Sequence, residues 1–360
     1  MWARLRELQR KAGAEFALAS GREQPRHYGD WRREWAAVRK RCGLLDVGFR
    51  DVCAARGEDR VSFLQGMVTT DIARLQPGQG AYGAILTIQG RVVSDVRLLA
   101  LSDEIWLDLP RSHAERAREH LQRHIVADDV ELVSEEAWAP LLAFEGPQAG
   151  RVALAVFGQS LSDLPWLGHR LVDFDGSPVR VLRATHTGEN GYTVFGPADV
   201  APWLWERSVA AGAEPVGLEA LEALRIEAGI PWVGRDMDET TLIMEVGLDE
   251  AITFGKGCYL GQEVVERVAA RGQIQRRRVG LLALGSGVPP PGAPLQRGDR
   301  EVGKVTSSAW SPALEAGIAM GYVRREAWDE GTELEVVEAA EPLRVRVVSL
   351  PLIRSGTNVS

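Results

Sequence analysis

The sequence predicts an α+β protein with a small antiparallel β-barrel at its C-terminal end, and three patterns support this fold class. Residues 111–126 carry apolar side chains every three or four positions, as one face of an amphipathic helix does. Residues 82–88 and 91–101 have strand patterns on either side of a Gln-Gly turn, which is typical of a β-hairpin. After residue 278, short β-type runs are separated by glycine and proline without helical patterns, which indicates five or six strands.

The remaining elements are predicted in chain order from helix caps, apolar periodicity and turn residues. Asp30 is a favourable N-cap for the second helix, and Pro110 ends the strand before residues 111–126. The Gly- and Pro-rich segment 285–292 separates elements. The other predicted helices cover residues 4–16, 31–41, 59–68, 202–211 and 218–228, and one more begins near residue 261. The other predicted strands cover residues 105–109, 178–184, 191–195, 279–284, 301–307, 317–323, 334–337 and 343–350.

Composition and charge exclude several classes of protein. Of 360 residues, 45% are hydrophobic and 26% are charged, which is typical of a folded globular chain and not of a disordered one. A net charge of −8 lacks the basic field that nucleic-acid binding needs, and no apolar run reaches the ~18 residues of a membrane span. Three widely spaced cysteines, Cys42, Cys53 and Cys258, favour a reduced compartment. We therefore expect a cytoplasmic protein that binds neither nucleic acid nor membranes.

Segment 254–278 has the densest pattern of residues that could carry chemistry. Cys258 lies among glycines, follows a lysine by two positions and precedes a predicted helix, and these neighbours favour the reactive thiolate form. A cysteine that packs a loop against a helix explains the same pattern. Between residues 256 and 278 there are six cations and two acids, which would suit a polyanion such as a polyglutamate tail, a phosphate or an acidic partner. A solvated strand edge is the alternative.

Three other clusters are less specific. Asp95 lies near arginines on the predicted hairpin, and a surface ion pair is the simplest interpretation. Glu189 lies in a turn, where an acid often only stabilises the turn itself. A solvated helix face is favoured over a metal site for three histidines surrounded by arginines, His113, His120 and His124. The sequence contains no Walker loop, HExxH, GxSxG or dinucleotide-binding motif.

The segment KGCYLGQE, residues 256–263, matches the signature of the YgfZ family of folate-binding proteins, which are built like the glycine cleavage T-protein. The resemblance covers about residues 27–350. It implies a three-lobed ring with a central cavity for tetrahydrofolate or a derivative, and a C-terminal barrel. The implied domains are a folate-binding body at 1–275, with lobes 1–50 plus 138–275 and 51–137, and a barrel at 276–360. Further segments resemble the T-protein in the expected order, at residues 27–47, 59–72, 90–96, 187–193, 224–231 and 240–248.

The resemblance also implies site residues. Asp95 matches the second acid of the T-protein's aspartate pair, and Ser94 replaces the first. Thr193 stands where the T-protein has a pterin-binding glutamate, and Leu221 where it has an arginine. The implied folate-binding residues are Asp95, Glu189, Arg225 and Glu245. The implied signature-loop residues are Lys256, Gly257, Cys258, Tyr259, Gly261, Gln262 and Glu263.

These matches lead to one main functional hypothesis and two alternatives. The YgfZ signature implies a tetrahydrofolate-binding accessory protein for iron–sulfur cluster assembly or repair, with Cys258 as its key catalytic residue. Its partners would be folate and client iron–sulfur enzymes or assembly proteins. The first alternative is a folate-dependent aminomethyl- or methyltransferase in which Asp95 transfers protons. The second is a folate-shaped scaffold that serves only as an interaction module.

Overall fold

A computed structural model describes residues 2–135, 137–272, 274–337 and 342–354. Its helices are α1 (Trp2–Lys11), α2 (Trp31–Lys40), α3 (Arg60–Met67), α4 (Arg111–Gln122), α5 (Ala149–Phe157), α6 (Ala201–Ala210), α7 (Leu218–Glu227), α8 (Ile243–Val246) and α9 (Gln262–Arg271). A 3-10 turn covers Asp249–Ala251.

The strands form a two-stranded ribbon, two larger sheets and a barrel. In chain order they are β1 (Glu15–Ala19), β2 (Arg22–His27), β3 (Gly43–Asp46), β4 (Arg50–Arg56), β5 (Gly80–Leu86), β6 (Val92–Ala100), β7 (Ile105–Pro110), β8 (Glu131–Ser134), β9 (Ala139–Glu145), β10 (His169–Phe174), β11 (Ser177–Arg183), β12 (Gly191–Gly196), β13 (Glu214–Val216), β14 (Arg276–Ala283), β15 (Pro294–Arg297), β16 (Arg300–Ser311), β17 (Ala316–Arg324), β18 (Glu333–Val336) and β19 (Leu343–Val348).

One lobe is the antiparallel sheet β5-β6-β7-β4-β8, with α3 and α4 on one face. The side chains alternate along β6 from Ser94 onward, so Val96 and Leu98 pack with Phe63 and Leu64 of α3, whereas Asp95 and Arg97 point to the other face. A bulge opposite Ile85 and Leu86 shifts the register at the start of β6. Because of this bulge, Val93 and Val96 face the same core although they are three positions apart.

The second lobe is the six-stranded sheet β10-β11-β12-β9-β3-β13, which is covered on both faces. Helices α5 and α6 cover one face, where Leu44 and Phe144 are buried. Helices α2 and α7 cover the other face, where Leu45 and Ala143 are buried. Successive side chains along β3 and β9 are therefore buried in two different cores, one on each face of the sheet. Because both faces are covered, these strands are short continuous apolar runs in the sequence.

The uncovered face of the five-stranded sheet packs on the second lobe. Val52, Leu99 and Trp106 from the first lobe meet Leu182 and Phe195 from the second in one buried cluster. Asp95 and Arg97 lie on the same face of β6 as Leu99, so they point toward the boundary between the lobes. This packing positions the candidate site.

The predicted C-terminal antiparallel barrel is confirmed, and its strands close in the order β14-β17-β16-β15-β18-β19. Its core holds Leu281, Leu295 and Val345, and it joins the body where Ile226 of α7 meets Ile318 of β17. Strand β15 was not predicted individually. The division between residues 275 and 276 stays a prediction, which the start of β14 at residue 276 supports. Residues 1, 136, 273, 338–341 and 355–360 lie outside the described residues.

Two helix predictions need correction. The helix predicted at 4–16 ends at Lys11, because Gly13 turns the chain at φ +93° and Phe16 then pairs in β1. The helix predicted at 111–126 ends at Gln122. The strands of the body that were not predicted are β1, β2, β3, β4, β8, β9, β10 and β13, and helix α5 was not predicted either, since short runs do not distinguish a strand from a helix.

Candidate active site

A cavity of about 540 Å³ lies where the two lobes meet the chain that follows the barrel. This volume falls within the range of about 300–1,000 Å³ that small-molecule sites occupy. The first lobe contributes Arg50, Tyr82, Asp95 and Arg97. The second lobe and the segment after α7 contribute Thr185, His186, Gly188 and residues 228–233. The C-terminal segment contributes Pro351, Ile353 and Arg354.

One wall of the cavity is aromatic. The rings of Phe49 and Trp232 lie 5.4 Å apart at an interplanar angle of 30°, and His186 meets Phe49 edge-on at 5.2 Å. Burial lowers the pKa of His186 well below 6.5, and Arg97 and Arg50 act in the same direction, so its ring is neutral near pH 7. A flat, mostly uncharged wall of this kind suits a planar heterocycle.

Asp95 is the buried acid of this cavity. Of the two acids among the described lining residues, Glu250 is exposed, whereas Asp95 is 8% exposed. Burial raises the pKa of Asp95, against the opposing effect of Arg50 and Arg97. Arg50 Nη1 lies 3.9 Å from Asp95 Oδ2, and the Tyr82 hydroxyl donates to the same oxygen at 3.4 Å. Asp95 is therefore a stronger base than an exposed aspartate, and its orientation is fixed.

Asp108, which was not among the site residues predicted from the sequence, holds these two arginines in place. Asp108 is fully buried, and it accepts from Arg50 Nε at 2.9 Å and from Arg97 Nη1 at 3.4 Å. Arg97 Nη2 also donates to the Thr185 carbonyl at 2.7 Å, which joins the two lobes. Burying these cations requires such partners. The available signal was one acid within the apolar run of the predicted strand 105–109.

A second missed residue is Glu145, at the end of β9. Its carboxylate is fully buried and accepts three hydrogen bonds from the turn that carries Thr185 and His186 into the cavity wall. Burial raises the pKa of Glu145 to about 7, although these hydrogen bonds oppose the shift. Thr193, which stands at the T-protein's glutamate position, has its hydroxyl 3.2 Å from His186 Nε2.

Glu189 reaches the cavity only through another residue. It is buried, and it accepts from Arg39 Nη1 at 2.6 Å. Arg39 Nη2 donates to Glu227 at 2.5 Å, and Arg39 itself lines the cavity. Glu189 therefore positions a cation of the cavity wall.

The structure does not place Arg225, a predicted folate contact, in the cavity wall. Its side chain is 0% exposed and does not line the cavity. It donates to Asp236 at 2.6 Å, to Glu222 at 2.5 Å and to the Ser307 hydroxyl of the barrel at 2.6 Å. Arg225 thus ties α7 to the barrel.

Glu245, another predicted folate contact, also lies outside the cavity wall. Its Oε2 accepts from the Leu242 amide at 3.4 Å, which caps α8, and from Arg276 Nε at 3.0 Å. The basic residue at the start of β14 is therefore used in an ion pair between α8 and the barrel.

The 256–263 loop lies outside the cavity wall, with none of its eight residues, all described, among the lining residues. It packs on α3: Lys256 Nζ donates to the Gln65 carbonyl, and Gln65 Nε2 donates to the Lys256 carbonyl at 3.0 Å. Burial lowers the pKa of Lys256 to about 8. Tyr259 is buried in the adjoining core, and Cys258 is exposed.

The remaining loop positions have structural roles. Gly261 has φ +87°, and a Cβ there would lie 2.6 Å from the Thr87 carbonyl of the β5–β6 hairpin. Gln262 begins α9, and its Oε1 accepts from the Tyr259 amide at 3.3 Å; Glu263 is exposed in the first turn of α9. Within the described residues, no group of three or more His, Cys, Asp or Glu side chains is arranged to hold a metal ion.

Two family models match the chain: the GCVT N-terminal domain over residues 5–256 and the glycine cleavage T-protein C-terminal barrel domain over residues 276–353. Over 98% of its length the chain is 36% identical to an aminomethyltransferase of Rubrobacter xylanophilus, of which it covers 94%. Over 95% it is 33% identical to an aminomethyltransferase of Thermosynechococcus vestitus, of which it covers 93%. The chain belongs to the glycine cleavage T-protein family.

A solved structure has the same fold. The glycine cleavage system aminomethyltransferase T from Bartonella henselae superimposes with a TM-score of 0.90 at 28% identity, and the match covers 98% of each chain. The predicted fold class is therefore confirmed, and membership of the family confirms the tetrahydrofolate prediction.

The main functional hypothesis is wrong. Relatives that match this chain over nearly its full length are named aminomethyltransferase, so the YgfZ-like role in iron–sulfur cluster assembly or repair is overturned in favour of the transferase alternative. The comparisons support the wider T-protein resemblance and do not support iron–sulfur clients as partners. No helix in the described part of the chain has both the length and the apolar character needed to cross a membrane.

Proposed function

We propose that this protein is a tetrahydrofolate-dependent aminomethyltransferase of the glycine cleavage T-protein type. The observation that carries the proposal is Asp95, a buried carboxylate oriented by Tyr82 and Arg50 in the wall of a ligand-sized cavity between two lobes. The relatives from R. xylanophilus and T. vestitus, which carry the name aminomethyltransferase, support the reaction class.

The residues of the cavity fit a folate. Its aromatic wall, formed by Phe49, Trp232 and His186, suits the flat pterin ring. The lining residues include four arginines and only two acids, which favours a ligand with an anionic glutamate tail. Tetrahydrofolate supplies the amine nitrogens that accept a one-carbon unit.

Asp95 is the proton-transfer group in this proposal. An amine that attacks a carbon centre gains positive charge and must lose a proton, and a nearby carboxylate can stabilise that charge and accept the proton. Burial raises the pKa of Asp95 and so makes it the better base. The hydroxyl of Tyr82 holds Oδ2, while Arg50 and Arg97 keep the carboxylate ionised when the cavity excludes water.

Two departures from the T-protein pattern affect how the pterin is held. Thr193 and Leu221 carry no charge, and both are buried: Thr193 pairs with His186, and Leu221 packs in the core under α7. Charged contacts to the ligand therefore have to come from the cavity's own arginines and its two acids, Asp95 and Glu250. We propose that the neutral His186–Thr193 pair replaces a charged contact, and that the folate is held chiefly by its aromatic ring and its tail.

Ammonia release tests the proposal. The purified protein is given an aminomethyl-loaded lipoyl carrier protein and tetrahydrofolate, and ammonia is measured over time. We expect release that requires tetrahydrofolate, and loss of general-base assistance in Asp95→Asn should lower kcat about 10²–10⁴-fold.

The matched control is Asp51→Asn, which lies in the same sheet on strand β4, separated from β6 by β7, and outside this cavity. This variant should retain most of the activity. No ammonia release by the wild-type protein would overturn the proposed reaction. Full activity in Asp95→Asn would overturn the role of Asp95.

A further inference from the structure

Glu145 occupies an unusual place for a carboxylate. It ends β9, a central strand, and its cross-strand partners on both sides are glycines, Gly191 on β12 and Gly43 on β3. A Cβ on Gly191 would lie 2.9 Å from the Glu145 carboxyl carbon. The missing side chain at Gly191 therefore leaves room for a fully buried acid, which the reaction proposed above does not use.

Three consecutive residues of one turn donate to this carboxylate. The Thr185 and Thr187 hydroxyls donate to Oε2 at 2.7 and 2.8 Å, and the His186 amide donates to Oε1 at 2.8 Å. The Thr185 oxygen accepts in turn from the amides of Thr187 and Gly188, so its single proton has to point at Glu145. The turn is built to surround an ionised acceptor.

The same turn forms part of the active-site wall. Thr185, His186 and Gly188 line the cavity, and the Thr185 carbonyl accepts from Arg97, two residues along β6 from Asp95. A change in the charge or size of the Glu145 side chain would therefore shift the 185–188 turn, and this shift would alter both the cavity wall and the position of Arg97 beside Asp95. Glu145 itself does not line the cavity.

We propose that Glu145 is a positioning residue: its ionised carboxylate holds the 185–188 turn in the conformation that binds folate, so that folate affinity depends on the protonation of Glu145. The identity of the ligand rests on the function proposed above. The placement of Glu145 behind the turn is independent of it.

The sign of the pH dependence follows from the hydrogen bonds. When Glu145 gains a proton, one oxygen becomes a donor that faces groups already donating to it, and the turn keeps only the other, uncharged oxygen as an acceptor. The charged or titratable groups that face Glu145 are Arg97 of β6, His186 of the turn and Cys42 beside β3. His186 and Cys42 are neutral near pH 7, because burial lowers the pKa of the first and raises that of the second to about 12.

Calorimetric titration with tetrahydrofolate under anaerobic conditions, from pH 6 to pH 8.5, tests this inference. Because the pKa of Glu145 is raised to about 7, wild-type Kd should increase as the pH falls through that value. Glu145→Gln should raise Kd about tenfold at pH 8, equivalent to about 1.4 kcal/mol, and should flatten the pH profile. Its kcat at saturating folate should change much less than its KM.

Glu34→Gln is the matched control. Glu34 is also a buried glutamate with a raised pKa, and it accepts from the amides of Tyr28 and Gly217 outside the cavity. This variant should keep the wild-type Kd and pH profile. If Glu145→Gln does not fold, Thr187→Val removes one donor while keeping the carboxylate, and it should raise Kd by a smaller factor.

The outcomes separate the two proposals. Absence of tetrahydrofolate binding by the wild-type protein at every pH would overturn the proposed function. Binding with the same Kd and pH profile in wild type and Glu145→Gln, or in wild type and Thr187→Val, would overturn the positioning role and leave the proposed function standing.

Discussion

Strand β6 and the 256–263 loop are both conspicuous in the sequence, yet the structure uses them differently. Strand β6 places Asp95 and Arg97 in the cavity wall. The loop turns its aromatic residue into a core, ties its lysine to α3 and leaves Cys258 exposed. Its eight contiguous matched residues made the loop look catalytic, whereas the strand was marked by one acid among arginines.

The difference teaches what a dense motif can mean. A loop that must pack tightly against a hairpin needs glycines at fixed positions, and Gly261 shows this requirement directly. A site needs only one or two side chains that the fold carries to a boundary between lobes. A long run of residues that match a motif therefore indicates how tightly a backbone segment must pack. Whether that segment takes part in a reaction depends on which side chains lie in the cavity.

The largest effect that would sharpen this comparison is expected for Arg225→Leu. The change leaves Asp236 and Glu222 without the cation that both contact inside the protein, and breaking a buried pair in this way costs about 3–5 kcal/mol. Urea unfolding should show that loss. Tetrahydrofolate affinity should stay close to the wild-type value where the variant is folded. If the variant instead bound tetrahydrofolate more weakly while its free energy of unfolding was unchanged, Arg225 would have to contact the ligand.

The positions of Asp95 and Arg225 show which features of the structure the sequence could predict and which it could not. The hairpin pattern around Gln89 and Gly90 places Asp95 on one face of a strand, because alternation is a local property. The role of Arg225 depends on Asp236 and on Ser307, 82 residues away in the barrel, and no local pattern contains those contacts. The fold class and barrel were predictable from periodicity for the same reason.

The polar residues behind the cavity wall were the least predictable part. Glu145 and Asp108 each lie in an otherwise apolar strand, where an acid makes the sequence look less like a buried strand. Their partners are brought by other elements: the 185–188 turn for Glu145, and β4 and β6 for Asp108. A charged residue inside an apolar run is therefore a signal for a buried network, which sequence periodicity alone treats as noise.

A smaller effect is expected for Gly261→Ala. The new Cβ would meet the Thr87 carbonyl at 2.6 Å, and the backbone φ of +87° disfavours alanine. We expect a loss of roughly 1–3 kcal/mol in unfolding free energy, with ammonia release per folded molecule unchanged. Gly255→Ala, also at positive φ but with open space around its Cβ position, is the control for backbone strain alone. Equal losses in the two variants would remove the packing argument for Gly261.

The smallest effect is expected for Cys258→Ala, and it is the most direct way to break the comparison. In the folded wild-type protein one thiol should react quickly with a labelling reagent, because Cys258 is exposed. Cys42 and Cys53 should react only slowly, because both are buried and burial raises the pKa of each to about 12.

Cys258→Ala should remove the fast labelling phase, and it should change the free energy of unfolding by less than about 0.5 kcal/mol, as surface substitutions do. Ammonia release should stay within about twofold of wild type, since Asp95 and its partners are untouched. If release disappeared while tetrahydrofolate still bound, the sulfur would belong to the chemistry, and the loop would have to reach the cavity during turnover.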